Sequence, residues 1–395
     1  MRQLCLRLDS RPVFADLHCH YPMHVVMHDP RHRIEHFLKR MRRDQAGAAV
    51  LRVASRLLND PHVWSTERVS IERLRRGNAR LVFSVLHNPF NEMDLDLRYG
   101  APPEDEYFEK VLSQMAEVES NLDQWDDSVV TLVRDADALD RALASGAIAM
   151  VHCLEGGVDL GSSPDTVERN VEELKRHGVA YITLAHLFYR QVATNAPAIP
   201  FLPDDVYRRV FPQPRDVGLT DRGRAAVEAM ARSRILVDLA HMSGRSIEEA
   251  LEILDAVAPD MPVINSHAGY RFGTQEYMLD AATIERIAER RGVVGLIMAQ
   301  HQLNDGVSKR EHRFDDSFEV ICEHVDKFHE ITGSHEHVGV GSDFDGFVKP
   351  MMGGLETPAA LGGLAERLAD RYGSEDAERI TSGNAIRVLR ELWRH

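Results

Sequence analysis

Apolar residues along this chain fall in short uninterrupted runs that alternate with longer stretches of helical period, and polar residues collect where the short runs end. The first run, Val13-Phe14-Ala15, continues through Asp16-Leu17-His18-Cys19-His20. Side chains of a strand alternate, so Asp16, His18 and His20 are expected on one face. Further runs with the look of buried strands are 48–53, 81–86, 129–133, 147–152, 179–184, 235–239, 262–265, 293–298 and 337–342. Helical patterns cover 24–43, 107–122, 136–144, 166–177, 221–232, 246–257, 282–291, 318–331, 359–371 and 375–392. Thr220 stands as the N-cap of the helix that starts at Asp221.

Strands alternating with helices imply a parallel sheet with right-handed crossovers, either open and doubly wound or closed. An open sheet gathers its site at one switch point, whereas a barrel collects residues from many strand ends on one face. Here the polar residues stand at strand ends throughout the chain, which selects an α/β fold of the TIM (β/α)8 barrel type. The chain is expected to be one barrel domain, 1–395, with C-terminal helices over about 359–392. The charge-rich segment of about 56–128, broken by Asn88-Pro89 and Pro102-Pro103, is expected to be mostly an insertion. Candidate strands exceed eight, so at least one of 81–86 and 129–133 should be peripheral. A loop holding Pro197, Pro200, Pro203, Pro212 and Pro214 is too long for a plain connection and is expected to be functional.

Composition narrows the function. Lys and Arg number 47 against 62 Asp and Glu, a net charge of −15, which disfavours a nucleic-acid partner. Twenty histidines raise the expectation of a metal or acid–base site. Cys5, Cys19, Cys153 and Cys322 are scattered, against both a disulfide framework and a sulfur-ligated zinc site. No apolar run approaches about 18 residues, and neither end reads as a signal peptide or an anchor, so the expectation is a cytoplasmic protein with no membrane contact.

The strand-end residues are His18, His20, Glu155, His186, His241, His267 and Asp343. Nitrogen and carboxylate donors without sulfur suit zinc, with manganese, cobalt and iron as alternatives. His18, His20, Glu155, His241, His267 and Asp343 exceed what one tetrahedral ion needs. Two ions roughly 3.5–4 Å apart, bridged by Glu155 and holding a hydroxide, are therefore expected. Asp343 would bind metal and shuttle the proton from water to the leaving amine. His186 would donate to the developing oxyanion, or else pack beside the ligands.

These residues sit in the segments DLHCH, HCLEGG, YITLAH, LTDRGRAAVEAM, ILVDLAHMS, VINSHAGYR, HVGVGSDFDG and SGNAIRVLREL. In that order, from about 13 to 390, the set resembles the renal or membrane dipeptidase family of the amidohydrolase superfamily. The resemblance implies a metal-dependent barrel that hydrolyses dipeptides, often with a D-residue or a dehydro-residue at the C-terminal position, and a homodimer. It implies one metal on His18 and the residue two later, Glu155 bridging, the second metal on His241 and His267, and Asp343 as ligand and proton shuttle. His186 matches the histidine that contacts the tetrahedral intermediate, and Arg271, with Arg190 as a rival, would pair with a substrate carboxylate. The main departure is His20, where the family usually has aspartate; the swap removes one negative charge from the site. Two other readings stand beside the dipeptidase: an amidohydrolase of other specificity (an N-acyl amino acid or a lactone), and a catalytically silent barrel. The last predicts lost ligands, yet every ligand position carries a metal-competent side chain.

Overall fold

The computed structural model describes residues 12–25, 68–92, 97–200, 202–307, 313–346 and 350–394. The expected strand 48–53 and nearly all of the expected helix 24–43 lie outside them. Among the described residues nine strands form one parallel sheet: β1 (Phe14–Cys19), β2 (Ala79–Leu86), β3 (Val130–Leu132), β4 (Ile148–Glu155), β5 (Tyr181–Thr183), β6 (Leu236–Asp238), β7 (Ile264–Ala268), β8 (Val293–Leu296) and β9 (Val338–Val340). The order runs β1-β2-β4-β5-β6-β7-β8-β9, with β3 attached to β4 alone. Beyond the end of β9 the chain returns to β1. Cys19 bridges Phe344, Asp343 N donates to His18 O at 2.9 Å, and His20 N donates to Phe344 O at 3.0 Å. Eight strands thus make a nearly closed barrel.

β3 is the peripheral strand. It pairs with Ile148 to Met150 at the start of β4, where β5 does not reach, since β5 meets only Leu154 and Glu155. The segment 79–86 is not peripheral: β2 sits between β1 and β4. The insertion expected over about 56–128 therefore fails at 79–86. Charged flanks such as Glu72-Arg73 and Arg98 disguise a run that is itself fully core-forming.

Helices alternate with the strands: α1 (Glu106–Leu122), α2 (Ala136–Ser145), α3 (Pro164–Arg176), α4 (Asp221–Ser233), α5 (Gly244–Val257), α6 (Ala281–Glu289), α7 (Phe314–Thr332), α8 (Pro358–Tyr372) and α9 (Asn384–Arg394). Side-chain caps start several of them. Ser163, Thr220, Ser243 and Asp280 each accept from an N–H three residues on, which contributes about 1 kcal/mol apiece. Each helix buries one apolar stripe on the sheet, as Val111, Met115, Val118 and Leu122 do on α1. A second apolar cluster fills the barrel with Leu17, Phe83, Val151, Tyr181, Leu236, Ile264 and Val293, and continues into Ala385, Val388 and Leu389 of α9. Among the described residues no helix is long and apolar enough to cross a membrane.

One irregularity decides where the first histidines point. Asp16 pairs with Val82 and Cys19 with Ser84, so three steps of β1 span two of β2. This bulge breaks the expected alternation. Leu17 joins the barrel filling, His18 turns to the mouth, and the carboxylate of Asp16 swings sideways to accept from Ser342 N at 2.8 Å and Ser342 Oγ at 2.5 Å. Asp16 does not share the face of His18 and His20.

Candidate metal centre

All seven strand-end residues meet at the C-terminal mouth of the barrel, the position from which such folds do chemistry. The buried carboxylate of Glu155, the last residue of β4, is the hub. Its Oε1 lies 3.5 Å from His18 Nε2, 3.5 Å from His241 Nε2 and 3.6 Å from His267 Nε2. Its Oε2 lies 3.4 Å from His20 Nε2 and 3.6 Å from His186 Nε2. Asp343 Oδ1 closes the other side, 3.2 Å from His20 Nε2 and 3.8 Å from His18 Nε2. The imidazole nitrogens also face one another in pairs, His18 with His20 at 3.1 Å and His241 with His267 at 3.0 Å.

The protein fixes which nitrogen of each ring faces inward. Ser266 Oγ gives its hydrogen to Asp238 Oδ2 at 2.6 Å. It can then only accept, from His267 Nδ1 at 2.7 Å and from His18 Nδ1 at 3.0 Å. The Tyr181 hydroxyl donates to Leu17 O and sits 2.9 Å from His18 Nδ1. Hydrogens therefore reside on Nδ1 of His18 and His267, and both Nε2 atoms present lone pairs to the centre.

Backbone strain marks the same place. His241 and Asp343 hold φ of 62° and 56°, left-handed values that cost a non-glycine residue about 1 kcal/mol or more. Both turn the chain sharply off a strand end so that the side chain points into the mouth. Gly346 approaches so closely that a Cβ there would lie 1.7 Å from Asp343 Oδ1.

Burial and charge pull against each other across the site. Burial would depress the imidazolium of His20, but Asp343 and Glu155 raise its pKa to about 10. His241 and His267 are driven well below the usual range, by burial first and then by neighbouring imidazoles. Burial raises the carboxyl of Asp343, against the pull of His20.

His186 stands at the rim with Nδ1 2.6 Å from Glu92 Oε2. Its ring lies between those of His87 and His241, with centroids 4.6 Å away on each side. His87 Nδ1 donates to Glu155 O at 2.9 Å, and its pKa falls to about 4, mainly through burial. His87 and Glu92 were not among the sequence candidates. A His at the end of the run 81–86 follows the same strand-end pattern and could have been found by it; Glu92 carries no such signal.

The two arginines do not join the centre. Arg190 is buried and donates to the carbonyls of Ala101, Asn91, Glu92 and Pro102 and to the Tyr107 hydroxyl. Arg271 donates to Met278 O at 2.7 Å and Glu276 O at 2.9 Å, beside Asp280. Both guanidinium groups are engaged by loop carbonyls.

The model of the membrane dipeptidase family, peptidase family M19, matches residues 7–394. The chain belongs to this family. Among its relatives are dipeptidase tcpJ of Claviceps purpurea, 27% identical over 82% of this chain and 69% of that protein, and dipeptidase 3 of Rattus norvegicus, 27% identical over 84% of this chain and 60% of that protein. The chain thus spans about two thirds or less of the length of these relatives. Among solved structures, a metallopeptidase from Rhodobacter sphaeroides liganded with a phosphinate mimic of the dipeptide L-Ala-D-Ala superposes with a TM-score of 0.70, at 20% identity over 97% of this chain and 100% of that one. The probable dipeptidase PvdM of Pseudomonas aeruginosa gives 0.65, at 15% identity over 83% of this chain and 90% of that one. These likenesses bear out the barrel.

Membership of a metallopeptidase family implies divalent metal, and the residues of this chain fit it. Glu155 Oε1 and the Nδ1 atoms of His20 and His241 are buried without a hydrogen-bond partner. Glu155 Oε1 is ringed by three imidazole nitrogens. A carboxylate so placed is left unsatisfied by the protein and satisfied by a cation. Ligand atoms of His18, His20 and Glu155, of His18, His267 and Asp343, and of Glu155, His186 and His241 converge within 4.8 Å in each group.

Proposed function

We propose that this chain hydrolyses dipeptides, with two divalent cations, zinc, held on His18, His20 and Asp343 on one side and His241 and His267 on the other, and Glu155 between them. The observation that carries the reading is the convergence of five Nε2 atoms within 3.4–3.6 Å of one carboxylate. When bound, such cations polarise a carbonyl and make water acidic near neutral pH. The side chains then have distinct work. Asp343 takes a proton from the attacking water at Oδ1 and returns it to the leaving amine. His186 turns Nε2 to the developing oxyanion.

A D-residue at the C-terminal position is part of the proposal, supported by the L-Ala-D-Ala mimic bound to the Rhodobacter sphaeroides relative. So are a homodimer, which rests on the family resemblance, and a cytoplasmic location, which the free buried thiols of Cys19, Cys153 and Cys322 suit. One observation favours a second reading, an amide or lactone without a carboxylate: Arg190 and Arg271 are both engaged by backbone carbonyls.

Elemental mass spectrometry of the purified protein, with a panel of L,L and L,D dipeptides, N-blocked and amidated counterparts and lactones, tests these readings. The expected result is two equivalents of zinc and cleavage of free dipeptides. Asp343→Asn should keep the fold and lose about 10²–10⁴-fold in kcat. Well below one equivalent after incubation with zinc at neutral pH overturns the hydrolase reading.

A further inference from the structure

We propose that Glu92 is a positioning residue for His186: its carboxylate holds the imidazole so that Nδ1 is engaged and Nε2 faces the Glu155 carboxylate. This deepens the hydrolase reading and rests on it for its kinetic test.

The contacts divide cleanly between the two carboxylate oxygens. Glu92 Oε2 lies 2.6 Å from His186 Nδ1, and Oε1 accepts from Phe188 N at 2.7 Å. One carboxylate thus grips both the side chain of His186 and the backbone two residues beyond it. The Glu92 side chain is 4% exposed, so rotating it away would strand a buried N–H and a buried charge. Its own backbone is anchored as well, because Arg190 donates to Glu92 O at 2.8 Å and to Asn91 O.

The consequence for His186 follows from donor chemistry. An ionised carboxylate only accepts, so His186 Nδ1 must carry hydrogen. The other nitrogen is then the working atom, 3.6 Å from Glu155 Oε2. Without Glu92 the Nδ1–H loses its acceptor and the ring loses that anchor. His87 and His241 flank the ring edge-on, at interplanar angles of 67° and 71°, and restrict its rotation. The same trio of His87, Glu92 and His186 has metal-ligand geometry. At 2.6 Å, however, the His186–Glu92 contact is a direct hydrogen bond and leaves no room for a cation between those atoms.

Glu92→Gln in the metal-loaded protein is the test. Its amide oxygen can still take the Phe188 N–H, which turns the amide NH2 toward Nδ1 and leaves the Nδ1–H without an acceptor. The expected result is a loss of about 10–100-fold in kcat with KM within about threefold and metal content unchanged. In a His186→Ala background the same change should cost almost nothing further. An equal loss in that background, or a KM effect alone, overturns the proposal. Loss of one metal equivalent also overturns it, and makes the trio a cation site. Nitrogen-15 NMR of His186 in the loaded wild-type protein decides independently of activity and of how the variant folds. A protonated Nδ1 supports the inference even if no panel substrate is cleaved, and a bare Nδ1 overturns it.

Discussion

His20 is the residue that sets this site apart from the aspartate expected by resemblance. Glu155 and Asp343 flank it and hold positive charge there strongly enough to bring its pKa to about 10 despite burial. A divalent cation answers the same field. Restoring a carboxylate with His20→Asp adds a hard oxygen donor in place of nitrogen, so we expect the manganese-to-zinc ratio bound in competition to rise. Elemental analysis after dialysis against equal concentrations of both metals reads it; an unchanged ratio would mean that position 20 does not ligate. A second residue speaks through stability. Asp159 is buried, accepts from Asn91 Nδ2 at 2.7 Å and leaves Oδ2 without a partner. Burial first, opposed by Asn91 and assisted by Glu92, raises its pKa from 3.8 to about 8. The folded state therefore binds this proton more tightly than the unfolded one. Its contribution is complete below about pH 4 and is lost as pH rises to about 8. In urea titrations between those limits, the wild type should lose stability as pH rises, and Asp159→Asn should flatten that decline.

Elements, not residues alone, aim the side chains at the barrel mouth. The bulge in β1 puts Leu17 and His18 to different uses, and left-handed turns after β6 and β9 present His241 and Asp343. Ser266 on β7 ties His18 and His267 to Asp238 on β6. Ser266→Ala leaves both Nδ1 atoms less constrained, and metal affinity should fall about 10–100-fold. Competition with a chromophoric chelator measures this, and loss from both half-sites rather than one would mark Ser266 as the shared support. Unchanged affinity would show that Tyr181 and packing suffice.

Across the whole molecule, Arg190 joins distant parts of the chain. Its guanidinium links the segment around 91–107 to the loop after β5, through buried carbonyls and the Tyr107 hydroxyl. Arg190→Ala would leave those acceptors without their donors, and we expect a loss of about 3 kcal/mol of unfolding free energy in urea titrations. Arg271 is half-exposed at a loop, and Arg271→Ala should cost about 1 kcal/mol. If instead Arg190→Ala stays stable and raises KM for free dipeptides alone, the arginine serves the substrate and not the fold.

The linear pattern of the chain was enough to place most strands, the barrel and the polar residues that stand at the strand ends. Most barrel strands hold an apolar run that reads as buried, and a closed parallel sheet sends its polar ends to one mouth. His18, His241, His267 and Asp343 were legible for that reason. What lay beyond reach depended on contacts far apart in sequence. The bulge that diverts Asp16 needs the register of β2. The pairing of Glu92 with His186 spans 94 positions. The carbonyls around Arg190 and Arg271 were also out of reach, because a sequence does not show which acceptors will surround a guanidinium. Periodicity decides which residues are buried and at which strand end they stand; only the folded chain decides what each polar atom touches, because hydrogen-bond partners are chosen by distance in space.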